Sequence, residues 1–170
     1  MVRGFTFLEL IITIVVSGII LMAMVPAFTN TAKANKVERA VLELYGIIVQ
    51  TQAESILRNQ PLWLHFEGLP EGASNGGWSA VMANSESLNS ADTDRLFTLS
   101  GVPFDGVTLE VNFNGEQLKI DHITGAVRAA GNITIKPYPQ SEGFAKIVTD
   151  ANSGRVRACQ NGAEFGLGAC

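Results

Sequence analysis

A single carboxylate, Glu9, lies near the start of a long segment that has no other charge. It is the only charged residue in residues 5–28, and residues 10–25 are apolar apart from Thr13, Ser17 and Gly18. An ionisable side chain inside a membrane costs a few kcal/mol on insertion scales, so it is retained where it meets a partner or serves a function. The segment therefore predicts a membrane span in which Glu9 has a specific role.

The residues around Glu9 form a short processing motif. Residues 1–3 precede the sequence Gly4-Phe5-Thr6-Phe7-Leu8-Glu9, which resembles the class III signal that prepilin peptidase cleaves in the type IV pilin superfamily. The resemblance implies cleavage after Gly4, a leader of four residues and N-methylation of Phe5. It also implies that Glu9 neutralises the terminal amine of a neighbouring subunit during assembly.

Two further positions agree with this resemblance. Gly18 and Pro26 follow Phe5 by thirteen and twenty-one residues, where pilin helices carry a glycine and a proline that allow local melting. A secretory signal peptide is one alternative, but residues 23–27 offer only a poor small-x-small cleavage site. A plain signal anchor is another; it explains the apolar segment and Arg3 but leaves the carboxylate beside the Gly-Phe junction unexplained.

The helical pattern continues beyond the apolar segment. Val37, Val41, Leu44 and Ile48 recur at steps of four, three and four, which predicts an amphipathic helix. Pro61 disfavours a helical conformation at the residue before it, so we expect the helix to end near Asn59. The sequence thus divides into a leader (1–4), a transmembrane part of the helix (5–28), an amphipathic part (29–59) and a globular domain (60–170).

Short apolar or alternating runs separated by Gly, Asn and Asp follow the helix, and they predict a β-rich domain. Eight strands are expected, at residues 62–67, 78–83, 95–99, 107–113, 117–121, 132–136, 144–149 and 155–159. The turn signal Asn114-Gly115 predicts a hairpin between residues 107–113 and 117–121. Residues 84–94 are expected to form a mobile polar loop. We identify no internal repeat.

Several motifs of the globular domain resemble the FimT-like and FimU-like minor pilins and the GspH-type pseudopilins of type II secretion. They comprise residues 58–64, Gly77-Trp78, Gly125 and the sequence Ser153-Gly154-Arg155-Val156-Arg157. The resemblance implies an α+β fold in which a long N-terminal helix packs on an antiparallel β-rich pilin domain. It also implies assembly with other major and minor pilins.

Arg155 and Arg157 are the residues outside the apolar segment whose spacing most clearly suggests binding. Two residues apart on a strand, they project from the same face, about 6.6 Å apart, and paired guanidinium groups suit a phosphodiester backbone. The resemblance to FimT-like pilins implies contact with double-stranded DNA. Residues 126–157 carry five basic against two acidic side chains, a net of +3; the basic ones are Arg128, Lys136, Lys146, Arg155 and Arg157.

Other observations leave alternatives open for this site. The whole chain has a formal charge of −4, which argues against a general polyanion-binding protein. One of the two arginines could instead pack along the sheet and pair with Asp150 or Glu164.

Cys159 and Cys170 are the only cysteines. In an exported domain they are expected to form a disulfide that holds the C-terminus, the alternative being two unpaired thiols.

The sequence offers little support for catalysis. No nucleophile elbow or phosphate-binding glycine loop is present, and His65 and His122 lack neighbours at metal-ligand spacing. Asp92-Thr93-Asp94 lacks the later ligands of a calcium loop. Trp63 and Trp78 fit core positions, with a stacking platform as the alternative. We therefore expect a non-enzymatic protein without a cofactor or bound metal.

Together these features predict a minor pilin of a type IV pilus, which primes or decorates the filament and contacts DNA during natural transformation. Its expected location is the bacterial inner membrane, with a periplasmic globular domain, and then the filament on the cell surface. Prepilin peptidase and other pilins are the expected partners. A GspH-type pseudopilin of type II secretion is the alternative function.

Overall fold

The computed structural model describes residues 6–69, 76–88, 94–138, 143–162 and 165–170, and for residues 23–30 it describes the backbone alone. One α-helix, α1, spans Phe7–Arg58. Eight strands follow: β1 (Leu62–Glu67), β2 (Ser79–Ala83), β3 (Arg95–Ser100), β4 (Val107–Asn112), β5 (Gln117–Ile120), β6 (Gly131–Pro137), β7 (Phe144–Thr149) and β8 (Val156–Asn161). The structure is therefore α+β with antiparallel sheets, and each strand overlaps a segment predicted from the sequence.

The chain divides into two compact units, residues 1–33 and residues 34–170. In the first unit the described side chains of α1 are largely exposed, including the large apolar residues at positions 7–22. No helix in the described part of the chain is long and apolar enough to cross a membrane.

The start of α1 is stabilised by Thr6. The backbone N–H of Glu9 donates to Thr6 Oγ1 at 3.3 Å, which places Thr6 at the N-cap and Glu9 three residues into the helix. The sequence Thr-x-x-Glu is the pattern of a capping box, and an acidic residue in the first turn also interacts favourably with the helix dipole. The observed bond involves the backbone of Glu9, and its carboxylate contributes the charge in the first turn of α1.

The helix ends as the sequence predicts, immediately before Asn59-Gln60-Pro61. Asn59 adopts a left-handed conformation with φ of 52°. Its N–H donates to the carbonyl of Ile56 at 3.1 Å, and the N–H of Gln60 donates to that of Ser55 at 3.2 Å. These two bonds form a Schellman motif, in which asparagine takes the position usually held by glycine.

The strands form two antiparallel sheets of four. Sheet A has the order β3-β2-β1-β5, and sheet B has the order β4-β6-β7-β8. In sheet B, Val148 of β7 lies opposite Arg157 of β8, and Lys146 lies opposite Cys159. Lys146 also lies opposite Thr134 of β6. The edge strand β8 therefore carries Arg157 on the same face of the sheet as Lys146.

The core of the second unit lies between one stripe of α1 and the two sheets. Val37, Val41, Leu44 and Ile48 of α1 are fully buried, which is the stripe predicted from their spacing. They belong to one apolar cluster with buried residues of both sheets, among them Leu62, Leu64, Leu118, Ile133, Ile135 and Ile147. Trp63 and Trp78 are also buried, in agreement with the core interpretation of both residues.

The predicted hairpin between β4 and β5 is wrong. β4 pairs with β6 in sheet B, whereas β5 pairs with β1 in sheet A. Asn114–Glu116 forms a short 3₁₀ turn instead of a two-residue hairpin loop, and the preceding Phe113 is buried with its ring 6.3 Å from that of Phe66. The chain thus crosses between the sheets at a point where an aromatic side chain enters the core.

A disulfide joins Cys159 and Cys170 and closes the C-terminal loop against β8. Gln160 organises this loop, because its side-chain oxygen accepts hydrogen bonds from the N–H groups of Phe165 at 2.6 Å and Leu167 at 3.2 Å. Phe165 is buried in the core. The loop is therefore held by a covalent bond, a polar side chain and an apolar anchor.

Candidate functional site

The structure places the predicted assembly residues along the N-terminal part of α1. Glu9 is exposed, and the α1 backbone is continuous through Gly18 and Pro26. Gly18 has no atom within 4 Å of the position that a Cβ would occupy. Gly4 and Phe5, the predicted processing residues, lie outside the described residues.

Two polar residues of this segment satisfy their hydroxyl groups within the helix. Thr13 Oγ1 donates to the carbonyl of Leu10 at 2.8 Å, and Ser17 Oγ donates to the carbonyl of Thr13 at 2.7 Å. Such bonds to the preceding turn remove the need for an external partner. Neither hydroxyl group therefore prevents this face of α1 from lying in an apolar environment.

Two turns at one end of the globular unit share an eight-residue pattern. The first Asp turn is residues 121–128, Asp-His-Ile-Thr-Gly-Ala-Val-Arg, and the second Asp turn is residues 150–157, Asp-Ala-Asn-Ser-Gly-Arg-Val-Arg. Both therefore have the form Asp-x-x-(Thr/Ser)-Gly-x-Val-Arg, repeated after twenty-nine residues. This repeat is too short to stand out along the chain, and an internal comparison anchored on the Gly-x-Val-Arg elements is needed to find it.

The backbone hydrogen bonds of the two turns are equivalent. In the first Asp turn, the N–H of Gly125 donates to the carbonyl of Asp121 at 2.8 Å, and the N–H of Asp121 donates to that of Ala126 at 3.0 Å. In the second, the N–H of Gly154 donates to the carbonyl of Asp150 at 2.8 Å, and the N–H of Asp150 donates to that of Arg155 at 3.1 Å. The glycines have φ of 67° and 66°. The shared sequence therefore specifies one turn geometry at both places.

The aspartate carboxylates organise the turns and remain ionised at neutral pH. The pKa of Asp121 is lowered to about 2, chiefly by the hydrogen bond from the backbone N–H of Thr124, and then by the bonds from the Arg128 side chain and the Ile123 N–H. The pKa of Asp150 is also lowered, first by the N–H of Asn152 and then by the Ser153 hydroxyl. Hydrogen bonds donated to an ionised carboxylate stabilise the charged form and so lower the pKa of the group.

The two Asp turns lie directly against one another. A Cβ built on Gly154 would lie 2.4 Å from the Cβ of Ala126, so only glycine fits at this position. The first Asp turn in turn contacts α1, because Gln52 Nε2 donates to the carbonyl of Gly125 at 2.7 Å. The helix thus supports the first Asp turn, which supports the second.

The arginines that end the two turns differ in their partners. Arg128 is held by Asp121, since its Nε and Nη2 atoms donate to Asp121 Oδ2 at 3.3 and 3.0 Å. Arg157, at the equivalent position, forms no ion pair with any described residue, and the same holds for Arg155. Both are exposed. The pairing with Asp150 that the sequence allowed is therefore not formed, and Glu164, the other suggested partner, lies outside the described residues.

Arg155 and Arg157 border a shallow groove of about 220 Å³. Val148, Asp150 and Ser153 form the rest of its lining. Two guanidinium groups and one ionised carboxylate give the groove a net charge of +1, and planar guanidinium groups bond phosphate oxygens bidentately. The groove can therefore accept a phosphodiester group.

The three other basic residues predicted for this site have different environments. Lys146 is the diagonal neighbour of Arg157 across β7 and β8, and such positions are about 7–8 Å apart. Its Nζ atom lies 5.1 Å from the centroid of the Phe144 ring. Lys136 is paired with Glu110, at 2.8 Å to each carboxylate oxygen. The structure thus brings Lys146 beside Arg157, whereas the charges of Lys136 and Arg128 are neutralised.

Comparison with known proteins identifies the family. A family model described as type II transport protein GspH matches residues 40–162, more than two thirds of the chain. The chain belongs to the GspH family. The GspH match begins within α1 and extends through β8, so it includes both sheets and both Asp turns. No curated protein and no solved structure gave a significant match.

Membership of the GspH family agrees with the resemblance to the type IV pilin superfamily, and it supports a pilin-like or pseudopilin-like role in type II secretion or in type IV pili. Cys159, which precedes the end of the matched region, forms the disulfide with Cys170. The GspH match does not extend over residues 1–39, so the predicted processing and assembly residues lie outside it.

His65, one of the remaining polar candidates, has a structural partner. His65 Nε2 lies 2.9 Å from the carbonyl oxygen of Ser85. Among the described residues, no group of three or more His, Cys, Asp or Glu residues could hold a metal ion. Asp92 and Thr93 of the suggested calcium loop, and residues 89–93 of the predicted mobile loop, lie outside the described residues.

Proposed function

We propose that this GspH family member is a minor pilin, a low-copy subunit that primes or decorates a type IV pilus. In this proposal the protein is a structural subunit that also binds a ligand, and it catalyses no reaction. The family match supports a filament subunit, and the exposed apolar side chains at positions 7–22 of α1 support helix-mediated insertion and assembly. Before assembly the chain resides in the inner membrane with its globular part in the periplasm, and afterwards it lies in the filament on the cell surface.

The proposed assembly route begins with prepilin peptidase. Cleavage after Gly4 and methylation of Phe5 leave a mature chain in which Glu9 is the fifth residue. Its carboxylate then pairs with the amine of a neighbouring pilin in a medium where an unpaired charge is costly.

We further propose that the second Asp turn contacts double-stranded DNA during uptake. The observation that supports this function is the difference between two equivalent arginines: Arg128 is neutralised by Asp121, whereas Arg157 and its neighbour Arg155 are exposed and form no ion pair with a described residue. Lys146 lies beside them on the same face of sheet B and adds a third positive charge.

DNA binding by the full chain in a zwitterionic detergent tests this proposal. Each neutralised phosphate contributes about −0.9 to the slope of log K against log salt for duplex DNA. The two arginine contacts therefore contribute about −1.8 to this slope by the same relation. The variant with Arg155→Ala and Arg157→Ala should lose most of its affinity and nearly all of this salt dependence.

Lys136→Ala is the control for loss of positive charge from sheet B, because Lys136 is already paired with Glu110. The control should bind DNA with nearly the parent's affinity. Unchanged DNA binding by the double arginine variant would exclude the second Asp turn as the contact.

A pseudopilin of a type II secretion system is the second candidate, because the matching family model is described as a type II transport protein. Deletion of the gene separates the two functions. Loss of surface pili and twitching indicates a pilin, loss of exoprotein release indicates a pseudopilin, and loss of DNA uptake with pili intact indicates a DNA receptor.

A further inference from the structure

The strand segments that flank the two Asp turns pair in the same register. In the first, the N–H of Arg128 donates to the carbonyl of Lys119 at 2.8 Å, and in the second Arg157 lies opposite Val148. Lys119 and Val148 are equivalent, because each stands two residues before the aspartate of its turn. The backbone therefore places the arginine that ends each turn at the same position relative to the aspartate that begins it.

The two oxygens of each aspartate can be matched through a hydrogen bond that both turns share. In each turn, Oδ1 accepts the backbone N–H of the residue two positions later, Ile123 or Asn152, at 2.9 Å. Oδ2 of Asp121 and Oδ2 of Asp150 are therefore equivalent atoms. The difference between the two turns lies at this oxygen.

Oδ2 has a different partner in each turn. Arg128 donates to Asp121 Oδ2 through both Nε and Nη2. In the second Asp turn, Ser153 Oγ donates to Asp150 Oδ2 at 2.9 Å. A carboxylate oxygen offers about two lone-pair sites, and Arg128 uses both of those of its aspartate. The serine hydroxyl takes one of the two sites on Asp150, so the same two-bond contact with Arg157 cannot form beside it.

Thr124, which is equivalent to Ser153, uses its hydroxyl group differently. Its Oγ1 atom donates to Asp121 Oδ1 at 3.3 Å, the oxygen that already accepts backbone N–H groups, and so leaves Oδ2 to Arg128. Both hydroxyl oxygens also accept a backbone N–H from two residues later, at 3.3 Å in each turn. The two side chains thus support their turns alike and differ in the carboxylate oxygen that they bond.

We propose that Ser153 is a positioning residue for DNA contact, because its hydroxyl group occupies the oxygen of Asp150 that would otherwise bind Arg157. The guanidinium group is thereby kept for a phosphate oxygen, in the groove that all three residues line. This inference rests on the proposed DNA contact of the second Asp turn. In the first Asp turn, where the hydroxyl group bonds the other oxygen, the corresponding arginine is held by its aspartate.

Ser153→Ala tests this role, and Thr124→Ala is its matched control. Each variant loses one hydroxyl group and one bond to a backbone N–H, so we expect similar costs to the two turns. Only Ser153→Ala vacates a carboxylate oxygen for an arginine, because Asp121 Oδ2 is already bonded to Arg128.

Hydrogen exchange of the arginine Nε–H groups is the direct readout. It is followed by nuclear magnetic resonance of the full chain in a zwitterionic detergent, without DNA, at a mildly acidic pH. Asp150, whose pKa is lowered, stays ionised under these conditions. The Nε–H of Arg128 is the internal reference for a guanidinium group held by an aspartate. Exchange at Arg157 should slow towards this reference in Ser153→Ala and keep the parent's rate in Thr124→Ala.

Binding of a short DNA duplex is the second readout. Capture of Arg157 by Asp150 should lower the affinity of Ser153→Ala about two- to fivefold, the range expected for competition from an exposed ion pair. The slope of log K against log salt should become shallower by up to about 0.9, since one phosphate contact is lost. Thr124→Ala should bind the duplex as the parent does.

Asp150→Asn separates positioning from a general structural role of the serine. An asparagine side chain can still accept the backbone N–H two residues later, but it has no charge with which to hold Arg157. When Asp150→Asn is also present, Ser153→Ala should therefore change neither the exchange at Arg157 nor the affinity for DNA.

Unchanged exchange at Arg157 in Ser153→Ala would overturn the proposal. An equal loss of DNA affinity with and without Asp150→Asn, or the same loss in Thr124→Ala, would also overturn it, because a structural role alone predicts these results. The exchange measurement contains no DNA. Slowed exchange in Ser153→Ala together with no DNA binding by the parent would contradict the DNA contact but retain the competition for Asp150, so the two failures are distinguishable.

Discussion

Asp121 and Asp150 show how one residue type determines local structure at two equivalent places. Each carboxylate accepts a bond from the backbone N–H two residues later, at 2.9 Å in both turns. Only Asp121 also holds the arginine that ends its turn. The second carboxylate oxygen accepts a bond from Arg128 in the first Asp turn, but from Ser153 in the second. Arg157 is therefore not held by Asp150 and is available for a ligand.

Asp121→Asn should change how stability depends on acid. The pKa of Asp121 is about 2 in the folded chain and 3.8 when unperturbed. A carboxyl group whose pKa is lowered by folding stabilises the fold above its unfolded pKa, and this contribution is lost as the pH falls through the folded pKa. Thermal unfolding between pH 5 and pH 2 should therefore show a shallower fall in Tm for the variant than for the parent.

Asp150→Asn should alter the acid dependence in the same direction, because the pKa of Asp150 is also lowered. Equal slopes of Tm against pH for the parent and the Asp121→Asn variant would contradict the assigned hydrogen bonds.

At the residue scale the sequence predicted which side chains carry charge, but not which of them are already paired. Arg155 and Arg157, whose spacing predicts side chains on one face, are both exposed and line one groove. Lys136 is neutralised by Glu110, twenty-six residues away, through a contact that depends on the register of β4 and β6. A sum of charges along the sequence therefore overestimates the positive charge that this surface offers.

At the element scale, local signals predicted the helix end and the strands, whereas strand partners depended on the core. Pro61 limits α1, and alternation locates the strands. The turn signal at Asn114-Gly115 predicts a hairpin because a sequence shows only that the chain turns there. Burial of Phe113 against Phe66 instead accompanies the crossing from sheet B to sheet A.

Contact between the two Asp turns leads to a prediction for Gly154→Ala. The new methyl group would meet Ala126 at 2.4 Å in a turn with φ of 66°. A left-handed conformation costs an alanine about 1–2 kcal/mol, and overpacking adds about 1–3 kcal/mol. Chemical denaturation should therefore show a loss of about 2–5 kcal/mol in the free energy of unfolding by the sum of these effects.

Gly106→Ala separates these two contributions. Gly106 also has a positive φ, 83°, but no atom lies within 4 Å of its Cβ position. This control should show only the conformational cost, about 1–2 kcal/mol. Equal losses for the two variants would mean that the Asp turns do not support each other.

At the scale of the whole molecule, the chain combines an N-terminal unit of exposed apolar helix with a globular unit that carries the two Asp turns and the groove of Arg155 and Arg157. The GspH match covers most of the globular unit. The apolar segment, the Gly-Phe junction and the Thr-x-x-Glu sequence lie before it and suggest how the chain reaches a filament. We therefore propose that assembly and ligand binding use different parts of the chain.

Processing and assembly can be tested together. The parent chain should occur in sheared filaments as a form that lacks residues 1–4 and carries a methylated Phe5. Glu9→Ala removes both the charge and the acidic member of the Thr6 capping box. Glu9→Gln removes the charge but retains a side chain that suits this position. If charge pairing drives assembly, both variants should be cleaved yet strongly depleted from filaments.

The most direct test is therefore the intact mass and the amount of the chain in sheared filaments, measured for the parent, Glu9→Ala and Glu9→Gln. The account predicts a cleaved, methylated parent in the filaments and depletion of both variants. Absence of the parent from the filaments, or normal incorporation of Glu9→Gln, would contradict it.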